Sequence, residues 1–232
     1  GHWKDTAIML KGDAVQSFTM LFLEMWAVNQ MEPADCQNYL TPKHVVPDPP
    51  HGYVIPYGDH PYDNENVGEE VYFHILNHSK KYVHIMTPYL ILDSEMITAL
   101  TRAAKSGIEV IIIMPHIPDK WYAFVLAHTY YKELIQAGVS IYEYTPGFVH
   151  AKVFVSDDDT ATVGTINLDY RSLYLHFECG AYIYDHPVVA DIEQDFQETL
   201  KKCQKISLTE VENRPVTYKV MGQILRLIAP LM

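Results

Sequence analysis

The sequence predicts an α/β protein, a sandwich of helices around a mixed β-sheet. Two observations lead to this prediction. Helical and extended patterns alternate between Asn66 and Tyr144 in the chain of 232 residues, and three strand patterns then follow in succession. Hydrophobic residues make up 48% of the chain and charged residues 20%. This composition excludes general disorder and provides enough apolar side chain for a sizeable core.

Each element follows from the spacing of apolar residues and from the residues that end it. A helix that starts near Asp93 has apolar residues three and four apart and ends at Gly107. The β-branched run Glu109–Met114 is typical of a buried parallel strand. The other predicted helices cover 13–30, 66–79, 120–137, a segment opening at Pro187, and 217–229. The other predicted strands cover 3–10, 82–87, 139–144, 148–156, 160–164 and 177–184.

The proline content divides the chain into three predicted parts. Seven prolines lie between Met31 and Pro61, and proline fixes φ and cannot donate a backbone hydrogen bond. Residues 31–65 are therefore predicted to be an irregular linker. Residues 1–30 are predicted to end a preceding unit, and residues 66–232 to form the domain that carries the chemistry.

Charge and cysteine content exclude several classes of function. The net charge of −12 argues against sequence-independent binding of nucleic acid, which needs clustered Lys and Arg. The three cysteines are widely spaced and fit neither a disulfide framework nor a zinc ribbon. The sequence contains no run of 18 or more apolar residues, so no transmembrane helix is predicted in it.

The strongest functional signal lies between Gly147 and Glu178. His150 and Lys152 are two residues apart, and in a strand they would share one face. This strand is predicted to be buried on both sides, where a His beside a Lys is costly to place. The pair alone leaves two interpretations open. It is either a functional pair, or a hydrogen-bonded core histidine next to a lysine whose charged end reaches solvent.

A polar turn after the following strand favours the functional interpretation. Gly164-Thr165-Ile166-Asn167 places a hydroxyl and an amide just past the strand end. A Lys ammonium together with these two groups suits the non-bridging oxygens of a phosphodiester. Because imidazole titrates near neutral pH, His150 can attack phosphorus or protonate a leaving alkoxide.

The pattern His-x-Lys-x-x-x-x-Asp from His150 to Asp157, followed by Gly-Thr-x-Asn, resembles the signature of the phospholipase D superfamily. Three further segments resemble bacterial cardiolipin synthases within this superfamily: Trp3-Lys4-Asp5-Thr6, Thr87-Pro88-Tyr89 and 137–142. The resemblance covers nearly the whole chain and is weakest in the proline-rich part. It implies a phospholipase D-like α-β-α sandwich around a mixed sheet.

The resemblance also implies roles for the residues that match the motif. His150 would be one of two catalytic histidines, and the other histidine would lie outside this chain. Lys152, Thr165 and Asn167 would bind the phosphoryl oxygens. Glu178 matches an acidic residue that orients the catalytic imidazole.

Two further residues have less direct roles. Asp157 is the Asp of the motif and is expected to be structural, because it lies five residues after Lys152 at the far end of the strand. Tyr89 follows a strand end, where sites form in α/β proteins, and is predicted either to pack in the core or to line the site. The resemblance implies no metal and no other cofactor.

The activity implied by the resemblance is transfer of a phosphatidyl group between two phosphatidylglycerol molecules. The products would be cardiolipin and glycerol, and the intermediate a phosphohistidine. Family members carry two His-Lys-Asp motifs and this chain carries one, so it is expected to be a C-terminal half whose partner is the missing N-terminal half. The whole protein is expected at the cytoplasmic side of the cell membrane. The 232-residue chain is expected to be soluble and nearly inactive alone.

Two other interpretations stay open. The first is a different phosphodiesterase of the superfamily, a nuclease or phospholipase, that works as a homodimer of single-motif chains. The acidic charge and the segment Trp3–Thr6 argue against a nuclease. The second is a non-catalytic structural module, against which the intact set of His150, Lys152, Asn167 and Glu178 argues.

Overall fold

The computed structural model describes residues 2–28, 37–40 and 52–231. The described strands are β1 (Trp3–Lys4), β2 (Tyr53–Asp59), β3 (Tyr82–Met86), β4 (Glu109–Pro115), β5 (Ser140–Tyr144), β6 (Phe148–Val149), β7 (Val153–Ser156), β8 (Thr160–Gly164), β9 (Glu178–Tyr184) and β10 (Cys203–Lys205). Within these residues, eight strands form one sheet in the order β10-β5-β4-β3-β7-β8-β9-β2. Strands β3, β4 and β5 are parallel, and the other neighbours are antiparallel.

The described helices cover both faces of this sheet. They are α1 (Ala14–Val28), α2 (Val67–His78), α3 (Ser94–Lys105), α4 (Trp121–Ala137), α5 (Tyr170–Tyr174), α6 (Val188–Leu200), α7 (Leu208–Glu212) and α8 (Val216–Leu227), followed by a 3₁₀ turn, Ala229–Leu231. One core lies under α2, α3 and α4, and a second lies under α6 around Phe196. The predicted sandwich around a mixed sheet is therefore confirmed. No helix in the described part of the chain is long and apolar enough to cross a membrane.

The prediction of an irregular linker over 31–65 is wrong for residues 53–59. These residues form β2, which pairs antiparallel with β9, and Pro56 lies opposite Ala181. β2 is the last strand of the sheet among the described residues. An edge strand tolerates proline because one side of its backbone has no partner strand. The predictions for 29–36 and 41–51 concern residues outside the described part.

Several predicted boundaries also change. The strand expected over 3–10 is limited to Trp3–Lys4, and the helix expected over 13–30 is described over 14–28. The sequence patterns missed β10, α5 and α7, each of which has five residues or fewer. Elements this short have too few residues to show a period. Asp93 caps α3 as predicted, since its carboxylate accepts a hydrogen bond from the Met96 amide at 2.7 Å.

Candidate active site

The N-terminal segment, residues 2–10, lies beside His150 and holds the backbone around it. β1 pairs in parallel with β6, and the Phe148 amide donates to the His2 carbonyl at 3.0 Å. Gly147 permits this approach, because a Cβ there would lie 2.2 Å from the His2 oxygen. The His150 amide then donates to the Lys4 carbonyl at 2.8 Å.

The predicted continuous strand over 148–156 is interrupted at the motif itself. β6 ends at Val149 and β7 begins at Val153, so His150 and Lys152 lie in the bend between the two. The Ala151 amide donates to the same Lys4 carbonyl, at 3.2 Å, instead of to a neighbour in the main sheet. The prediction that His150 and Lys152 share one face of a strand is therefore wrong. They are brought together by a bend that β1 stabilises.

A cleft of about 520 Å³ opens at this bend. It lies at the carboxyl end of β3, because Val153 pairs with Met86, the last residue of that strand. The four residues predicted to act at a phosphate all line it, together with residues of the N-terminal segment, among them Asp5 and Thr6, and with Phe18 of α1. The four are His150, Lys152, Thr165 and Asn167.

His150 is oriented by a carboxylate that the sequence analysis did not single out. The Nδ1 atom of His150 lies 3.1 Å from Oδ2 of Asp5. The Trp3 ring contacts the imidazole, with 4.8 Å between ring centroids. When Nδ1–H donates to Asp5, Nε2 is the nitrogen left to accept or deliver a proton. The sequence did contain a signal for Asp5, because Asp5 is the acidic residue of the Trp3–Thr6 segment that resembles bacterial cardiolipin synthases.

The segment that carries Asp5 is itself fixed to the domain. The Lys4 ammonium lies 2.7 Å from the Asp195 carboxylate on α6. The Thr6 hydroxyl donates to the same carboxylate at 2.7 Å. These contacts are partly buried, so they position Asp5 more firmly than an exposed ion pair would.

Lys152 provides positive charge in a shielded place. Its side chain is buried, and its ammonium donates to the His150 carbonyl. Burial lowers the pKa of Lys152 to about 8, although the nearby carboxylates of Asp5, Glu178 and Asp169 oppose this shift. The group is therefore a cation at neutral pH that can donate further hydrogen bonds to an anion in the cleft.

Asn167 is held by a chain of hydrogen bonds. Its Nδ2 donates to the Ser172 hydroxyl at 2.8 Å, and that hydroxyl donates to Glu178 at 2.9 Å. Asp169 caps α5 by accepting from the Ser172 amide at 2.8 Å, which fixes Ser172 in turn. Among the described residues, the Oδ1 atom of Asn167 is buried without a hydrogen-bond partner. An amide oxygen only accepts hydrogen bonds, so Nδ2 is the atom of Asn167 that can donate to a phosphoryl oxygen.

Thr165 makes its hydrogen bonds within the protein. Its hydroxyl accepts from the Cys179 amide at 3.0 Å and lies 3.3 Å from the Cys179 carbonyl. Gly164 allows this approach of β8 to β9, because a Cβ there would lie 2.4 Å from the Cys179 oxygen. In this structure Thr165 fixes the turn, whereas the sequence predicted that it binds phosphate.

Glu178 lies differently from expectation, whereas Tyr89 follows the core-packing alternative, since it is half-buried against the core. Glu178 contacts Ser172 and lies 3.6 Å from Nδ1 of His176, while Asp5 is the carboxylate on His150. Tyr89 does not line the His150 cleft. Its hydroxyl donates to Asp119 at 2.6 Å, and its ring is 6.5 Å from that of Phe148.

Asp157 lies at the other end of β7 from Lys152. Its carboxylate accepts three backbone amides, from Lys80 at 2.6 Å, Lys81 at 2.9 Å and Tyr82 at 3.0 Å. Burial raises the pKa of Asp157, but these three donors outweigh burial, so the pKa lies below its ordinary value. Asp157 therefore joins the β7–β8 turn to the start of β3 and lies away from the cleft.

Comparison with known proteins agrees with this architecture. The family described as "Cardiolipin synthase, PLD-like domain" matches residues 72–200. A phospholipase D family member, Nuc from Salmonella typhimurium, superposes with a TM-score of 0.55 over 65% of this chain and 98% of its own, at 18% identity. The phosphatidylserine synthase of Haemophilus influenzae superposes with a TM-score of 0.63 over 77% of this chain and 48% of its own, at 16% identity.

Curated sequences are similar over all of this chain. An uncharacterized protein of Streptococcus mutans is 53% identical over 233 residues, and cardiolipin synthase 2 of Bacillus anthracis is 36% identical over 232 residues. The chain covers 50% and 45% of these two proteins, so it spans about half the length of the curated relatives it matches.

The mixed sheet between helical layers is therefore the phospholipase D fold. Within that class, the chain belongs to the cardiolipin synthase, PLD-like domain family.

Proposed function

We propose that this chain supplies one half of the active site of a phosphatidyltransferase that makes cardiolipin and glycerol from two phosphatidylglycerol molecules. The observation that carries this proposal is the single cleft lined by His150, Lys152 and Asn167. It combines an imidazole, a shielded ammonium and an amide, which are the groups that phosphodiester chemistry needs. The family membership supports a phospholipid as the substrate.

In the proposed reaction, an imidazole from outside the chain attacks the phosphorus of the first phosphatidylglycerol. A phosphorus–nitrogen bond forms, the bond from phosphorus to the glycerol oxygen breaks, and His150 Nε2 delivers a proton to that oxygen. His150 then removes a proton from a hydroxyl of the second phosphatidylglycerol, which attacks phosphorus and releases the imidazole. Lys152 neutralises the non-bridging oxygens throughout.

This reaction needs two imidazoles on opposite sides of the phosphorus. Of the described residues, His150 is the histidine that lines the cleft. The second imidazole is therefore assigned to the other half of the same protein, and residues 2–28 are assigned to the end of that half. The coverage of 45–50% of the curated relatives supports this assignment.

We expect the 232-residue chain alone to convert phosphatidylglycerol to cardiolipin very slowly, because it brings one imidazole to the phosphorus. The test is an assay of cardiolipin and glycerol in detergent across a range of protein concentrations, with the intact protein as the positive control. Rapid turnover that is independent of concentration would contradict the two-imidazole site. Turnover that rises with the square of concentration would favour the homodimer.

We expect anion binding in the cleft to weaken as the pH rises through about 8. Lys152 loses its proton in this range, since burial lowers its pKa to about 8. Sulfate binding, followed by calorimetry between pH 7 and pH 9.5, measures this because sulfate keeps its charge. The Lys152→Met variant is expected to bind weakly with a flat profile. Lys120→Met, which removes an exposed lysine elsewhere, is the matched control, and an equal loss in both variants would contradict the assignment.

The same pKa has a consequence for stability. The folded-state pKa of Lys152 is lower than the ordinary lysine value of 10.5, so between pH 8 and pH 10.5 the unfolded chain binds more protons. The contribution of Lys152 to the free energy of unfolding therefore increases as the pH rises through this window. Without a bound anion, Lys152 contributes least to the stability of the folded protein at neutral pH, because the buried ammonium is charged there.

A further inference from the structure

The C-terminal helix α8 packs on the domain by one face only. The residues of this packing face recur every three or four positions and are buried or half-buried. They are Tyr218, Gly222, Leu225 and Ala229. The face lies against α4, and the His128 ring is 2.6 Å from the Tyr218 hydroxyl. This side of the helix is therefore fully explained by packing within the chain.

The opposite face of α8 and the turn after it form an exposed apolar stripe. Its residues are separated by four, four, three and four positions, which places them along one line of the helix. They are Val216 (74% exposed), Val220 (53%), Ile224 (59%), Leu227 (82%) and Leu231 (82%). Isolated exposed apolar side chains are common on protein surfaces, whereas five large ones in one line form a continuous apolar surface of the kind that marks an interaction site.

The charge around this stripe differs in sign from the rest of the protein. Residues 213–231 contain no Asp or Glu, whereas the whole chain has a net charge of −12. Their cations are Lys219, Arg226 and Arg214, of which Arg214 lies 4.0 Å from the buried Glu143 carboxylate within the domain.

Lys219 and Arg226 are seven residues apart, so both lie on one flank of the stripe. There the Lys219 ammonium donates to the Glu212 carbonyl at 2.5 Å, and the half-buried Arg226 guanidinium lies 4.5 Å from the centroid of the Tyr130 ring. An apolar line bordered by cations is the pattern of a helix that binds in the plane of an anionic lipid surface.

The position of α8 relates this surface to the cleft. The 3₁₀ turn at its end packs against α5. α5 directly follows the turn that carries Asn167, and Asp169 caps it. Leu227 and Leu231, the most exposed residues of the stripe, therefore lie at the end of the helix that is next to the site.

We propose that the exposed stripe of α8 is the surface by which this protein lies on a membrane that contains anionic phospholipids. The apolar side chains enter the boundary between headgroups and acyl chains, and Lys219 and Arg226 bind headgroup phosphates. This contact holds the cleft at the surface from which its substrate comes. The inference rests on the proposed function for its substrate, but the stripe and its charges are independent of the catalytic residues.

The test compares binding of the purified chain to sedimenting vesicles. With vesicles of equal parts phosphatidylglycerol and phosphatidylcholine, we expect the Ile224→Glu/Leu227→Glu variant to bind at least about tenfold more weakly than the unmodified chain. The matched control is Phe22→Glu/Trp26→Glu, which removes two exposed apolar side chains from α1 and is expected to change binding less than about twofold. Vesicles of phosphatidylcholine alone are expected to bind weakly. Circular dichroism melting checks that all three proteins are folded.

Three outcomes would overturn the proposal. These are no vesicle binding by the folded unmodified chain, equal loss in both variants, or unchanged binding by the α8 variant. If the unmodified chain instead forms a dimer that the α8 variant dissociates, without vesicle binding, the stripe is an interface between copies. Turnover of a dispersed short-chain phosphatidylglycerol by the intact protein tests the proposed function separately, and the α8 variant is expected to retain it.

Discussion

Replacing His150 with alanine in the intact protein is expected to lower the rate of phosphatidyl transfer by about two to four powers of ten or more. The imidazole is assigned to proton transfer in both steps, and no other imidazole of the described residues lines the cleft. The measurement is the initial rate of glycerol release from phosphatidylglycerol. The fold is expected to persist, because His150 is partly exposed and its main described contact is with Asp5.

Two further variants make this experiment specific. His78→Ala removes an exposed histidine on α2, away from the cleft, and is expected to retain the full rate. Asp5→Asn keeps the size of the side chain but removes the charge that faces Nδ1 of His150. It is expected to lower the rate less than His150→Ala and to shift the pH dependence of the rate. A near wild-type rate in the His150→Ala protein would refute the assignment of this histidine.

Asp157→Asn is expected to destabilise the protein by about 1 to 3 kcal/mol while the rate of the folded enzyme changes little. The carboxylate accepts three backbone amides, and the amide side chain of asparagine leaves at least one of them without its acceptor. Denaturant unfolding measures the loss, and the rate is compared at a temperature at which both proteins are folded. A fully stable Asp157→Asn protein without activity would contradict the structural role.

The adjacent Asp158→Asn provides the control. Both residues have positive φ, at 56° and 67°, and asparagine tolerates this conformation as well as aspartate does. Asp158 is exposed and is expected to change stability by less than about 0.5 kcal/mol. Because the folded-state pKa of Asp157 is lowered, its contribution is present above the ordinary aspartate value of 3.8 and is lost as the pH falls below that value.

The parts of this fold that the sequence predicts are those determined by local spacing. The helix capped by Asp93 and the parallel strand that starts at Glu109 are defined by capping and by apolar periodicity, and both are found. The grouping of Lys152 and Asn167 in one cleft follows from motif residues at the ends of neighbouring strands. Local rules apply here because the relevant contacts lie within one or two elements.

The parts that the sequence did not predict depend on pairing between distant segments. Pro56 is acceptable in β2 because β2 is an edge strand, a property of the whole sheet. The bend at His150 depends on two hydrogen bonds to the Lys4 carbonyl, which no pattern within residues 148–156 reveals. The contact between Asp5 and His150 has the same origin, since it needs β1 to lie beside β6.

The pairing of β1 with β6 also has a consequence for the order in which the protein folds. Asp5 and His150 are separated by 145 positions, so their contact closes a very long loop. Closing a long loop costs conformational entropy, so contacts of this kind form slowly. During synthesis residues 2–10 leave the ribosome well before His150 exists, and β6, the strand that pairs with β1 among the described residues, is made later. The main sheet can therefore be complete while the His150 imidazole is still without the Asp5 carboxylate, and we expect the N-terminal segment to dock late at this cleft.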